Sequence, residues 1–258
     1  LQHIKKHKQM KKKVLIVAAF VATLATVSSC KKTTTTPTPP NNAAPTVTAP
    51  SDADGAFVLV NTITYNITTA PIIGTIISKI ELGTAAAWLG APNAFVDAGA
   101  IKCQDSLLTK QANNAYVFVP NSLTGINKSS NTKWDVAGAG SVTGFSFTHS
   151  ASFPSVDSIE NAVDVNTAND FTLSSKGFVS NSDSVIFVVS GPNGSVQKIK
   201  PSNTKSCTFT ASEMSTVGTG NNSGLLQIAP YRLTSSTLNG KKYYFVKETC
   251  VSKFVNLK

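Results

Sequence analysis

Few side chains in this sequence are of a type that does chemistry, and their spacing limits how they can be used. Beyond residue 9 there is one histidine, His149, and the only arginine is Arg232. A Ser-His-Asp hydrolase needs one histidine, but no G-x-S-x-G elbow presents a serine, so His149 reads as a surface loop residue. The 13 acids leave room for the carboxylate pair of a glycoside hydrolase, yet nothing in their placement singles out two of them. A hydrolase with such a pair is the runner-up function. P-loop, dinucleotide and zinc-ligand patterns do not occur.

Four cysteines are present, Cys30, Cys103, Cys207 and Cys250. With Cys30 set aside the remainder is odd, which permits at most one intramolecular disulfide. Cys207 with Cys250 is the best pairing because both fall in the C-terminal part, and buried free thiols in strands are the preferred alternative. "SDADGAF" (51–57) sets Asp52 and Asp54 two apart beside Gly55, but a calcium loop needs its glycine sixth and a glutamate twelfth, where this sequence has Ile63. A polar turn leading into a strand is expected there, with no metal and no cofactor. Among the aromatics, Trp134 alternates with Lys133 and Asp135 and reads as core. Trp88, Tyr243 and Tyr244 are the candidate ligand-stacking platforms, and the adjacent tyrosines of a strand must face opposite ways.

The chain that positions these groups is 41% hydrophobic and only 14% charged, against roughly 25% charged for an average soluble protein. Its net charge of +10 suggests a polyanion partner until the charges are located. Eight of the 23 basic residues are lysines at or before position 32, and every acid lies at or after Asp52. Residues 51–258 therefore carry 15 bases against 13 acids, which removes the case for nucleic-acid binding.

The N-terminal lysines belong to a different pattern. "MKKK" (10–13) precedes the charge-free run "VLIVAAFVATLATV" (14–27) and then "SSC". A positive stretch, an apolar run too short to span a bilayer and small residues before a cut describe an export signal. "VSSC" resembles the lipobox of bacterial lipoproteins, with Val27 at the aliphatic position and Cys30 as acceptor. The resemblance implies cleavage before Cys30, its lipidation and attachment to the cell envelope, most simply the outer membrane on its periplasmic or surface face. Several acyl chains together hold a protein stably on a membrane. Residues 1–9 read as sequence upstream of the true start, within a signal segment of residues 1–29.

Residues 30–50 are rich in threonine and proline and read as a flexible spacer. Such a tract, and the low-charge body behind it, resemble cell-envelope lipoproteins of the Bacteroidota. "DSL", "DSI" and "DSV" resemble the O-glycosylation acceptor of that group, which would modify Ser106, Ser158 and Ser184. Turn residues opening a strand are the favoured reading of the same three sites.

From residue 51 onward the pattern is of strands. "AFVLVNTITYNI" (56–67) alternates apolar and polar residues, the signature of a half-buried strand. "GPNG" (191–194) and "NG" (239–240) are hairpin turns, the second because Asn-Gly accepts positive φ. Seven short strands after residue 160 suggest an immunoglobulin-like sandwich. "FTASEMSTVGTGNNSGLLQIAPYRL" resembles the strand, short helical turn and strand that cross between the sheets of fibronectin-type domains. "HSASFPSVDSIE" (149–160) lacks a pattern, so a boundary is placed near 155. The expected fold is all-β: two Ig-like or fibronectin-like sandwiches, at 51–155 and 156–258. The expected role is non-catalytic, binding a protein or glycan of the envelope or supporting an assembly.

Overall fold

A computed structural model describes residues 50–70, 74–91, 94–160 and 164–258. The signal segment, Cys30 and most of the spacer lie outside the described residues. The body is all-β, as its alternation predicted. In the first half the strands are β1 (Gly55–Ala70), β2 (Gly74–Ala91), β3 (Ala94–Phe95), β4 (Ile101–Cys103), β5 (Ser106–Leu107), β6 (Thr109–Lys110), β7 (Tyr116–Val117), β8 (Thr132–Val136) and β9 (Phe145–His149). In the second half are β10 (Ser155–Val156), β11 (Asp164–Val165), β12 (Phe171–Ser174), β13 (Val179–Ser180), β14 (Ser184–Gly191), β15 (Gly194–Pro201) and β16 (Ser206–Phe209). The single-turn helix α1 (Ala211–Met214) and the long strands β17 (Gly220–Leu238) and β18 (Lys241–Leu257) follow.

Both hairpin signals act as expected. Gly191 pairs with Gly194 across the tip of β14–β15, and Leu238 pairs with Lys241 across Asn239 and Gly240, whose φ angles are 51° and 74°. Two successive positive φ values are what a tight hairpin turn demands. The "TASE" sequence caps α1 reciprocally: Glu213 N–H donates to the Thr210 hydroxyl and Thr210 N–H donates to the Glu213 carboxylate. This turn carries the chain from β16, paired with β12 in a small sheet, to β17 in the large one.

The large sheet runs β15-β14-β17-β18-β1-β2-β7-β6, with β11 also on β18. Its centre is a parallel pairing of β1 with β18, from Gly55 opposite Tyr243 to Thr64 opposite Ser252. One face is covered by two smaller layers. Over the first half, the sheet β5-β4-β8-β9 brings Ile101, Cys103, Trp134 and Val136 onto Phe57, Leu59, Leu89 and Phe245. Over the second half, Leu173, Cys207 and Phe209 of β12 and β16 meet Phe187, Ile228, Val251 and Val255, with Met214 beside them.

Two cores therefore exist, but β18 serves both, and the sheet does not break at residue 155. The patternless segment near 149–160 is the crossing between the two covering layers. It is fastened from below by β18: Lys247 Nζ donates to the carbonyls of Ser130, His149 and Ala151 at 2.6, 2.9 and 2.7 Å, and Thr249 Oγ1 donates to Pro154 O at 2.6 Å. A segment that owes its conformation to such ties needs no apolar periodicity of its own.

Candidate functional site

The strand alternation of β18 separates the two tyrosines, as expected. Tyr243 points into the first core and Tyr244 to the opposite, outer face of the sheet. Neither is the open platform that sugar stacking requires, since their exposures are 4% and 7%. The Tyr243 ring stacks on Phe145 at 4.8 Å and meets Phe57 edge-on. Tyr244 O–H donates to Asp52 at 2.8 Å, and Trp88, also buried, stacks on Phe95 at 5.3 Å. The expectation of exposed stacking residues at Trp88, Tyr243 and Tyr244 is thus corrected: neighbouring rings occupy the surfaces a sugar would use. Trp134 is core, as predicted.

Tyr243 nevertheless lines a cleft of about 170 Å³. Its walls are Leu89, Gly90 and Val96 on one side, the loop residues Ser141, Val142 and Thr143 on another, and Asp54, Asn239 and Lys241 at the β17–β18 turn. The Asp54 carboxylate accepts from Lys242 N–H at 2.8 Å and faces Lys241 Nζ at 3.4 Å. The lining is thus a neutralised ion pair, hydroxyls, one amide and apolar side chains. Burial raises the Tyr243 phenol above its usual range, and the Asp54 charge adds to the shift. At neutral pH the phenol is a hydrogen-bond donor.

Asp52 and Asp54, read from sequence as a poor calcium loop, are engaged by the lysines of β18. Lys242 Nζ reaches Asp52 at 2.6 Å, and that bond, then the one from Tyr244, lowers the Asp52 pKa. Among the described residues no three His, Cys, Asp or Glu side chains converge as metal ligands would.

No family model matches the chain, and neither the curated proteins nor the solved structures gave a match. The site is therefore read from its own chemistry.

The cysteines and His149 fall in interior positions. Cys103, Cys207 and Cys250 are all buried and free. The Cys207–Cys250 disulfide is corrected: Cys207 sits in the second core, whereas Cys250 projects from the outer face of β18 among Ile186, Val188 and Ala229. Burial pushes the Cys250 thiol up to about 12, which disfavours the thiolate that would act as nucleophile or ligand. His149 is corrected from a surface loop residue to the buried end of β9, 2% exposed, with Nε2 3.1 Å from Thr234 Oγ1 and Nδ1 without a partner among the described residues. Burial, then the nearby Lys247 charge, lowers its pKa to about 4. Ser106, Ser158 and Ser184 are each half-buried. Ser106 and Ser184 open β5 and β14, and Ser158 N–H is held by its own Asp157 carboxylate at 2.7 Å.

Sequence reasoning missed Lys247 and Glu248, two ionisable residues inside "YYFVKETCV". Their signal was available: two adjacent charges in the middle of an otherwise apolar strand.

Proposed function

We propose that this chain is a lipid-anchored bacterial envelope protein whose all-β body binds a ligand rather than transforming one. On this reading residues 1–29 are an export signal, Cys30 carries the lipid and 31–50 are the tether. The C-terminal half is an Ig-like sandwich. The order β15-β14-β17-β18 opposite the β12–β16 pair, joined by the capped turn at 210–215, supports that description.

The observation that carries the binding reading is the lining of the cleft beside Tyr243. Hydroxyls of Ser141, Thr143 and Tyr243 and the Asn239 amide stand beside an acid already balanced by Lys241, with Leu89 and Val142 between them. A few fixed polar groups on an apolar surface suit an uncharged, hydroxyl-rich ligand such as a glycan unit. An anion or a metal would meet no uncompensated charge there.

Two measurements test the two halves of the reading. Glycan-array or calorimetric binding by the full chain carrying Cys30→Ser is expected, and Ser141→Trp, which fills the cleft, is expected to abolish it; binding unchanged by Ser141→Trp removes the cleft from the function. For the anchor, globomycin or Cys30→Ala is expected to stop processing and release or mislocalise the protein, and unaltered membrane association sinks the tether.

A further inference from the structure

The Tyr243 cleft is small. Its volume of about 170 Å³ is well under the roughly 300–1,000 Å³ that encloses a drug-sized ligand, so it takes one substituent of a larger molecule and leaves the rest outside. Which substituent follows from the hydrogen-bonding capacity that the fold leaves unspent there.

Tyr243 is held by its ring, which packs on Phe145 and Phe57 in the first core. Its hydroxyl makes no hydrogen bond to a described residue, and it is not sealed from solvent either. A phenol kept protonated by burial and by the Asp54 charge is a fixed donor without an acceptor. The wall that accompanies it is aliphatic: Leu89 is 1% exposed, and Val96 and Val142 are half-buried against the same core.

The cleft also holds a spare acceptor. Asp54 Oδ2 takes the Lys242 N–H at 2.8 Å, whereas Oδ1 has only the Lys241 ammonium, 3.4 Å away and beyond the usual range of about 2.7–3.2 Å. An ionised carboxylate oxygen has room for a further N–H.

A donor, an acceptor and a patch of methyl groups in one small cleft match a ligand group that brings a carbonyl, an N–H and a methyl. A lone hydroxyl would satisfy the phenol but would set no carbon against the aliphatic wall, and a carboxylate would meet the charge of Asp54. An acetamido group satisfies all three.

We propose that the cleft holds the acetamido group of an N-acetylated sugar. Tyr243 O–H donates to the acetyl carbonyl, Asp54 Oδ1 accepts from the amide N–H, and the methyl group rests on Leu89, Val96 and Val142. The sugar ring lies at the mouth, where Ser141, Thr143 and Asn239 are exposed and the Asn239 amide is held only by a 3.4 Å bond to Gly144 O. A peptide amide offers the same carbonyl and N–H but lacks the ring hydroxyls that these three side chains suit. The inference rests on the glycan-binding reading above and sharpens it to one class of glycan.

The test is calorimetry on the full chain carrying Cys30→Ser, with matched methyl glycosides that differ only at C2: N-acetylglucosamine against glucose, and N-acetylgalactosamine against galactose. In at least one pair the acetamido member is expected to bind at least about tenfold tighter, a ratio equivalent to about 1.4 kcal/mol. Tyr243→Phe keeps the ring and its packing. It is expected to cut that ratio to about twofold or less by weakening the acetamido member alone, whereas a structural loss would weaken both members equally. Equal affinity within both pairs, or a ratio that survives Tyr243→Phe, overturns the acetamido assignment and leaves the glycan reading standing. N-acetylalanine methylamide bound as tightly as the acetamido sugars overturns it in favour of a peptide. Failure of all four glycosides to bind, with other glycans still held through a contact that Ser141→Trp abolishes, also overturns it. Failure of every glycan to bind removes the reading on which it rests.

Discussion

Lys247 and Glu248 are consecutive, oppositely charged and unable to meet, because successive side chains of β18 leave opposite faces of the sheet. Lys247 spends its ammonium on three backbone carbonyls and lies 5.3 Å from the centre of the Phe153 ring. Glu248 leaves the outer face of the sheet, where it makes no hydrogen bond to any described residue, and burial alone raises its pKa to about 8. One strand position fastens the fold and the next costs it stability.

The pH dependence of folding should report Glu248. Its pKa is about 8 in the folded chain and near the ordinary 4.5 in the unfolded one. Between these values the folded state holds a proton that the unfolded state has lost. Stability should therefore fall as pH rises through that window, by up to about 1.4 kcal/mol per unit. His149 opposes it at the acid end: its pKa is lowered by burial from 6.5 to about 4, so up to about pH 6.5 the unfolded state holds a proton the folded state lacks and stability rises with pH there. Urea midpoints of the full chain should therefore slope downward between about pH 6.5 and 8, and Glu248→Gln should flatten that slope and stabilise the protein at the alkaline end. A Gln variant with the parental slope assigns the titration to another group.

Lys247→Met tests the fastening. Methionine matches the stem but leaves the carbonyls of Ser130, His149 and Ala151 without their donor. Breaking a buried charge-assisted cluster of this kind costs about 3–5 kcal/mol. The loss should appear as a lowered urea midpoint together with faster proteolysis at 149–155. A midpoint within about 0.5 kcal/mol of the parent, the range of a neutral surface change, rules out a structural role for the cluster.

Alternation and turn chemistry made the strands legible, down to the Asn239-Gly240 hairpin and the Thr210–Glu213 cap. They could not show that β1 and β18 pair, because a parallel contact between the first and last strands of the body leaves no local trace. The reading of 149–160 as a gap between domains failed for the same reason: its order comes from Lys247 and Thr249, about 100 residues away. The cleft was only partly legible. Asp54, Val96, Ser141 and Tyr243 come from four distant stretches, and only Tyr243 had been singled out as a ligand contact. Cys207 and Cys250 looked like partners because sequence proximity does not reveal which face of a sheet a side chain leaves from.

The state of those thiols is directly measurable. The full chain carrying Cys30→Ser should show no disulfide by intact mass, and Cys103, Cys207 and Cys250 should be alkylated together only after denaturation, since all are buried. A mass two protons lower that reverts on reduction would restore the Cys207–Cys250 bridge.

The loop that closes the first core depends on two glycines in contact. Gly83 N–H donates to Thr124 O at 2.8 Å and Ile126 N–H donates to Gly83 O at 2.9 Å, which draws the backbones of β2 and the loop together. A Cβ on Gly83 would lie 2.0 Å from Ile126 O, and one on Gly125, where φ is +64°, would lie 2.0 Å from Gly83 O. Both obstacles are backbone, so neither can swing aside. Gly83→Ala and Gly125→Ala should each push the loop outward, unseat the buried Ile126 and lose the Lys128–Glu81 pair at 3.2 Å, at a cost of about 1–3 kcal/mol. Gly140→Ala is the control: its φ is +55° but a Cβ there meets nothing within 4 Å, so only backbone strain of about 1 kcal/mol applies. Equal urea midpoints for all three variants would mean that the close approach contributes nothing beyond the positive φ. A clear deficit at positions 83 and 125 would locate the constraint in the contact itself.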